Sequence, residues 1–183
     1  LLAENITTAE KLLRCRLRLG EDESADSITA AACGDGEFDA MGLHRAATAM
    51  QSGGARDRTH GEVIASWLSA SAYERTQMFP EFLAQFFTKG GEGAALKRLI
   101  HGEALNLAPN ADTVLAKEAV RLEAIRSRLR AAQTFERSKA LLRFADALLT
   151  EYERTKERHA QLDYDDLILK AGDLLGCPGI GEW

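Results

Sequence analysis

Apolar residues recur at steps of three and four along most of this chain, which is the spacing of an amphipathic α-helix. Leu12, Leu13, Leu17 and Leu19 form the first such stripe, which ends at Gly20. Nowhere does the chain sustain the alternation of apolar and polar residues that is typical of a β-strand. We therefore predict an all-α fold made of several helices.

The longest helical pattern lies between Pro109 and Gly172, a stretch that contains no glycine or proline. Apolar residues repeat at steps of three and four, weaken over 131–134 and then resume. We predict two long helices here, over 111–131 and 135–159, which are either antiparallel or joined by a kink.

A shorter closing helix is predicted within QLDYDDLILKAGDLL, residues 161–175. Asp163 is suited to the N-cap, and Asp166 three residues later can complete a capping box. We expect both carboxylates to accept bonds from backbone amides, and Tyr164 to pack against the end of the preceding long helix. Gly176 then ends the helix.

The most loop-like segment is QSGGARDRTHGE, which is rich in glycine, serine and charge. We place a domain boundary there, between a variable helical part (1–59) and a second helical part (60–183). Aromatic residues become frequent after this boundary, and Pro80 is predicted to open a helix whose aromatic residues belong to the core.

The composition is that of an ordinary globular protein, with 45% hydrophobic and 28% charged residues among 183. No apolar run approaches membrane-spanning length, and the chain begins with neither a signal peptide nor a methionine. Three widely spaced cysteines favour a reducing, cytoplasmic setting, and four scattered histidines predict no metal site. We expect the chain to be a piece of a longer protein.

The net charge of −5 is distributed unevenly. Residues 111–160 carry eleven Lys and Arg against eight Asp and Glu, whereas the remainder is strongly acidic. This basic segment is compatible with contacts to nucleic acid but does not require them, and a solvated charged helix face is the more frequent explanation of such a pattern.

Two motifs near the end of the chain carry a family resemblance. YxxxK (Tyr152, Lys156) followed by LDYDDL (Leu162, Asp163, Tyr164, Asp165, Asp166, Leu167) resembles the segment that closes the 1B subdomain of superfamily 1A DNA helicases of the UvrD/Rep type. EVIASWLSA and FLAQFFTKGGEGAALKRLI are similar to a region of the AddA helicase-nucleases, which act in double-strand break repair. The resemblance covers residues 60–183.

This resemblance implies an accessory subdomain that guides DNA over the motor domains of an ATP-dependent helicase and exonuclease. The Walker A, Walker B and nuclease motifs of that family do not occur in the chain. We therefore expect no catalytic residue and no cofactor in this piece, because ATP and Mg²⁺ would be bound elsewhere in the parent helicase. The resemblance implies contacts to DNA phosphates, for which the candidates are Lys89, Lys97, Arg98, Arg126, Arg128 and Arg130.

Two alternatives remain open. The chain could be a helical interaction module that binds a partner protein, which in the family setting would be an AddB-like subunit. Asp163 and Asp166 could instead belong to a Mg²⁺-binding carboxylate cluster in a small hydrolase, since paired carboxylates bind Mg²⁺. Capping of a helix accounts for the same two residues.

Overall fold

A computed structural model of the chain describes residues 2–88, 93–96 and 98–176. Eight α-helices lie within these residues: α1 (Leu2–Arg16), α2 (Ala25–Ala32), α3 (Ala40–Gln51), α4 (Ala55–Ser69), α5 (Ala72–Phe86), α6 (Gly102–Leu107), α7 (Ala111–His159) and α8 (Tyr164–Gly176). The only β-type pairing in the described residues is an isolated bridge between Phe87 and Ala95. The prediction of an all-α fold is confirmed.

The chain forms two compact units, which divide within α7. The central unit spans Lys11–Glu136. The terminal unit holds the described residues up to Glu10 together with those from Arg137 onward. Residues on both sides of position 59 belong to the core of the central unit; the division into 1–59 and 60–183 stays a prediction.

An aromatic cluster forms the centre of the central unit. The Trp67 ring stacks on Phe82 with ring centroids 3.9 Å apart. Phe38 packs against Trp67, and Phe86 packs edge-on against Phe82. The indole N–H of Trp67 donates to the backbone carbonyl of Arg75 at 3.1 Å, so its polar atom is satisfied within the core. The assignment of these aromatic residues to the core is confirmed.

Helices α3 and α4 approach each other closely at Gly61. A Cβ atom at this position would lie 2.8 Å from the carbonyl oxygen of Ala47 and 2.9 Å from the Cβ of Met50. Helix α4 begins at Ala55, so most of the predicted loop QSGGARDRTHGE is helical and that interpretation was wrong. Most polar residues of this segment lie on the outer face of the helix, whereas Asp57 and Gly61 are buried on its inner face, where Asp57 accepts from the backbone N–H of His101 at 2.9 Å.

Helix α5 begins earlier than the sequence pattern indicated. Ser71 and Glu74 form a capping box, in which each side chain accepts from the backbone N–H of the other. Pro80 therefore lies inside the helix rather than at its first position, which corrects the prediction. It is exposed, so its ring does not have to fit into the core.

Helix α7 is one continuous helix of 49 residues, not the two helices predicted over 111–131 and 135–159. The segment 131–134 contains no helix breaker, and the Thr134 hydroxyl donates to the Arg130 carbonyl within the helix at 2.8 Å. The apolar pattern weakens there because small Ala132 takes a buried position beside Phe135. Among the described helices, none is both long and apolar enough to cross a membrane.

Candidate functional site

The family motif residues meet where α7 ends and α8 begins, within the terminal unit. Ala160 adopts a left-handed conformation with φ of 51°. Its N–H donates to the carbonyl of Glu157 at 3.2 Å, and the N–H of Gln161 donates to the carbonyl of Lys156 at 2.9 Å. These two bonds form a Schellman motif, which reverses the chain and brings Asp163 beside the last turns of α7.

Helix α8 starts with a reciprocal capping box. The backbone N–H of Asp166 donates to Asp163 Oδ1 at 2.8 Å, and the backbone N–H of Asp163 donates to Asp166 Oδ2 at 3.0 Å. Two of the backbone donors that a helix start leaves unsatisfied therefore have partners. The predicted capping role of both aspartates is confirmed.

Lys156 joins this cap to the end of α7. Its ammonium donates to Asp166 at 2.8 and 2.9 Å and to Asp163 at 3.1 Å, and it pairs with Glu153 at 2.9 Å. The Lys156 side chain is only 10% exposed. The ring of Tyr152 lies 4.8 Å from the ammonium, and its hydroxyl donates to Asp163 at 3.1 Å. We call Tyr152, Glu153, Lys156, Asp163 and Asp166 the junction cluster.

These contacts shift the proton affinities of the junction cluster. The backbone N–H of Asp166, followed by the Lys156 ammonium, lowers the pKa of Asp163 to about 2. The bonds to Lys156 lower the pKa of Asp166, and the bonds to Asp166 raise the pKa of Lys156. The bond to Asp163 raises the pKa of the Tyr152 hydroxyl, because it favours the phenol that donates. Lys156, Asp163 and Asp166 are therefore held in their charged forms at neutral pH, and Tyr152 in its neutral form.

This arrangement is suited to fixing a helix rather than to performing a reaction. The ammonium of Lys156 takes the place between two carboxylates that a metal cation would need. No group of three His, Cys, Asp or Glu side chains in the described part of the chain could hold a metal ion. The carboxylates of Asp163 and Asp166 are also committed to backbone amides.

No family model, curated protein or solved structure matches the chain.

The other residues of the LDYDDL motif are largely exposed. Tyr164 is 84% exposed, so the prediction that it packs against the end of α7 was wrong. The tyrosine that makes contact at the end of α7 is Tyr152 of α7 itself, whose hydroxyl donates to Asp163. Leu162 and Leu167 are each about half exposed, and Asp165 is exposed. The structure thus brings together Asp163 and Asp166 of the motif and leaves Asp165, Tyr164 and the two leucines at the surface.

The candidate DNA-binding residues lie in different surroundings. Arg126 is buried: its guanidinium lies 4.1 Å from the centre of the Phe87 ring, donates to the carbonyl of Gly93 at 2.6 Å and pairs with Glu123. A phosphate could reach Arg126 only by displacing these partners.

Three of the other candidates are more accessible than Arg126. Arg98 and Arg130 are exposed, and Arg128 is exposed but pairs with Glu23. Lys89 and Lys97 lie outside the described residues. Of the four described candidates, Arg126 and Arg130 line the same groove, and Arg126 and Arg128 are paired with acids.

Sequence reasoning missed two residues that shape the turn between α7 and α8, namely Glu153 and Ala160. Glu153 precedes Lys156 by three residues, which is a spacing that places an acid beside a base on one helix face. That signal was available in the sequence. Ala160 carried no comparable signal, because alanine rarely adopts the left-handed conformation that the turn requires.

Proposed function

We propose that this chain is an accessory, 1B-like subdomain of an ATP-dependent DNA helicase and exonuclease of the UvrD/AddA type, which acts in double-strand break repair. The observation that carries the proposal is the junction cluster. Two motifs separated in sequence, YxxxK and LDYDDL, have their polar residues in direct contact around Lys156. A shared structural task explains why both motifs occur together.

The task would be to fix how a helical insertion joins a motor domain. An insertion that guides DNA must keep a defined orientation at the point where its chain re-enters the motor. The Schellman motif, the capping box and the Lys156 ammonium provide three sets of bonds at one turn, the last two of which share the carboxylates of Asp163 and Asp166. Such redundancy makes the direction of α8 relative to the end of α7 hard to change.

The proposed DNA contacts belong to the accessible arginines. Phosphate contacts give affinity without sequence preference. This affinity falls as the salt concentration rises, because the release of counterions from DNA on binding then becomes less favourable. We expect Arg98→Glu and Arg130→Glu to lower the affinity for duplex DNA in a salt titration. Arg58→Glu is the matched control, because Arg58 is exposed on α4, far in sequence from the basic segment, and its reversal changes the net charge equally. Undetectable binding at low salt would remove direct DNA contact from the proposal.

The helicase relationship has a separate test. The coding sequence on either side of this segment should encode a Walker A motif before it and a Walker B strand after it. If neither motif is present, the helicase proposal fails whatever the isolated chain does with DNA.

A second function is favoured by a different observation, the exposed apolar side chains of the terminal unit. Five lie on the last turns of α7 and five on α8: Leu141, Phe144, Leu148, Leu149, Tyr152, Leu167, Ile168, Leu169, Leu174 and Leu175. Exposed apolar surface of this extent is typical of a surface that another protein covers. The chain would then act as a helical interaction module, with an AddB-like subunit as the partner in the family setting.

One pair of variants separates the two functions. Leu148→Glu should abolish binding of a protein partner and leave binding of DNA unchanged. Arg130→Glu should have the opposite effect, since Arg130 lies in the central unit.

A further inference from the structure

A cleft between α3 and the start of α7 has no part in either proposed function. Its volume is about 570 Å³, which lies within the range of about 300–1,000 Å³ that is usual for small-molecule sites. Residues of α3 and its C-cap Ser52 form one wall, and residues 107–111 with Val114 form the other. All of them belong to the central unit. None of them is a candidate for DNA binding.

The floor of the cleft is apolar. Five short side chains, all buried or half-buried, form it: Ala46, Ala49, Ala108, Ala111 and Val114. Exposed Leu107 stands at its edge. An occupant with a hydrocarbon body would remove this surface from water, which is favourable in proportion to the apolar area covered. A purely polar ligand would leave it uncovered.

The charge that lines the cleft is basic. Arg45 and His44 line it, whereas no acidic residue does so in the described part of the chain. This contrasts with the chain as a whole, whose net charge is −5. Asp39, the acid at the start of α3, is engaged in capping, since its carboxylate accepts from the N–H of Gly42 at 2.8 Å. An anion in the cleft would therefore be attracted by Arg45 without repulsion from a lining carboxylate.

Arg45 is available to such an anion. Its side chain is exposed and, among the described residues, makes neither an ion pair nor a hydrogen bond. Arg121 and Arg126 differ in this respect, because each pairs with an acid on its own helix. A guanidinium presents two parallel N–H groups that match the two oxygens of a carboxylate. His44, which is exposed next to Arg45, can donate a further bond from its ring.

The size of the cleft favours a small molecule over a macromolecule. An α-helix about 10 Å across would fill it with little more than one turn, which is too short for an apolar repeat. A nucleic acid needs a track of several cations for its phosphates, and the cleft offers one arginine and one histidine. At about 30 Å³ for each water of the liquid, the cleft has room for a ligand of roughly 10–15 non-hydrogen atoms.

We propose that this cleft binds a small carboxylic acid with an apolar body. The carboxylate pairs with Arg45, and the hydrocarbon part covers the alanine floor and Leu107. This inference rests neither on the helicase relationship nor on the exposed apolar side chains of the terminal unit, because the cleft shares no residue with either.

Titration of the isotope-labelled chain with three compounds, followed by NMR, tests this inference. Phenylpropionate has an apolar body and a carboxylate, phenylpropanamide has the same body without the charge, and acetate has the charge alone. Phenylpropionate should shift the amide signals of Thr48, Ser52 and Asn110 and saturate with a Kd of about 1–5 mM. Phenylpropanamide should bind about three- to fivefold more weakly. Acetate should not saturate.

Two matched pairs of variants locate the site. Arg45→Gln should weaken phenylpropionate by about three- to fivefold and leave phenylpropanamide unchanged. Arg58→Gln, at an exposed position of α4 outside the cleft, should change neither. Thr48→Trp should block both compounds by filling the cleft. Thr59→Trp is its control, because both threonines are exposed and each hydroxyl donates to the carbonyl four residues before it. Melting curves would show that all four variants are folded.

Four results would each overturn the inference. Phenylpropionate could shift no amide of the cleft at concentrations up to about 20 mM. Phenylpropanamide could bind as tightly as phenylpropionate, in which case the charge of Arg45 selects nothing. Acetate could shift the same amides to the same extent, in which case the apolar floor contributes nothing. Finally, the two members of either variant pair could bind phenylpropionate equally well.

Discussion

Replacing Ala160 by glycine should strengthen the turn between α7 and α8. Ala160 is one of the few non-glycine residues with positive φ, at 51°, because it occupies the position after the end of α7 that completes the Schellman motif. Glycine adopts this conformation without steric strain, since it has no Cβ. The same substitution at Ala147, an exposed position inside α7, should have the opposite effect.

The magnitude follows from comparing the two substitutions. A left-handed conformation destabilises a residue with a Cβ by about 1–2 kcal/mol. Glycine also loses more freedom on folding than alanine, which costs about 0.5–1 kcal/mol at either position. Ala160→Gly should therefore stabilise the turn by about 0.5–1 kcal/mol, and Ala147→Gly should destabilise α7 by a similar amount. Because the entropy of the unfolded chain is common to both variants, their difference measures the strain at Ala160 alone.

Amide hydrogen exchange followed by NMR measures this effect locally. The N–H of Gln161 donates to the carbonyl of Lys156, and its protection should rise about two- to fivefold in Ala160→Gly. In Ala147→Gly, protection should fall for the amides of the surrounding turns of α7. If both substitutions lower protection to the same extent, Ala160 is not strained and the geometry argued for the turn is wrong.

Three further changes test the packing of the helices and the junction cluster. Gly61→Ala should destabilise the central unit by about 1–3 kcal/mol and lower its melting temperature, because the new methyl group meets α3. Gly172→Ala is the control: this glycine faces open space on α8, so its replacement should be neutral or stabilising by up to about 1 kcal/mol. Lys156→Met should expose the amides of α8 to exchange without lowering the melting temperature of the central unit. The pKa of Asp163 is lowered from 3.8 to about 2, so its stabilisation of the turn between α7 and α8 is present above pH 4 and lost as the pH falls toward 2. An NMR titration of the Asp166 amide, which donates to Asp163, would contradict this if the signal did not move between pH 4 and pH 2.

Much of the fold follows from local sequence signals. The helical spacing of apolar residues predicted the all-α class, and the dense aromatic residues predicted the core around Trp67. The error at QSGGARDRTHGE came from equating polarity with a loop. The segment at the start of α4 is polar because one helix face is solvated, while Gly61 on the other face touches α3. A contact between two helices cannot be recognised from the spacing within one of them.

In the candidate site, the capping box was predictable from the sequence, whereas the surroundings of Lys156 and Arg126 were not. Asp163 and Asp166 are three residues apart, and this spacing alone indicates their capping box. The position of Lys156 between them depends on a turn set by Ala160, which local propensity disfavours. The burial of Arg126 likewise depends on Phe87, a residue distant in sequence whose ring covers the guanidinium.

The ion pairs of the described residues decide how strongly DNA binding should depend on salt. Several arginines that make the 111–160 segment basic are matched by nearby acids: Arg121 with Glu118, Arg126 with Glu123, Arg128 with Glu23 and Arg143 with Glu10. The excess of positive charge in the sequence therefore overstates the charge available to phosphates. Six contacts to duplex DNA would give a logarithmic salt slope of about −5, whereas contacts from the four candidates other than Arg126 and Arg128 would give about −4. A measured slope near −5 would mean that the paired arginines exchange their acids for phosphates, and the structural role assigned to Arg126 would then be wrong.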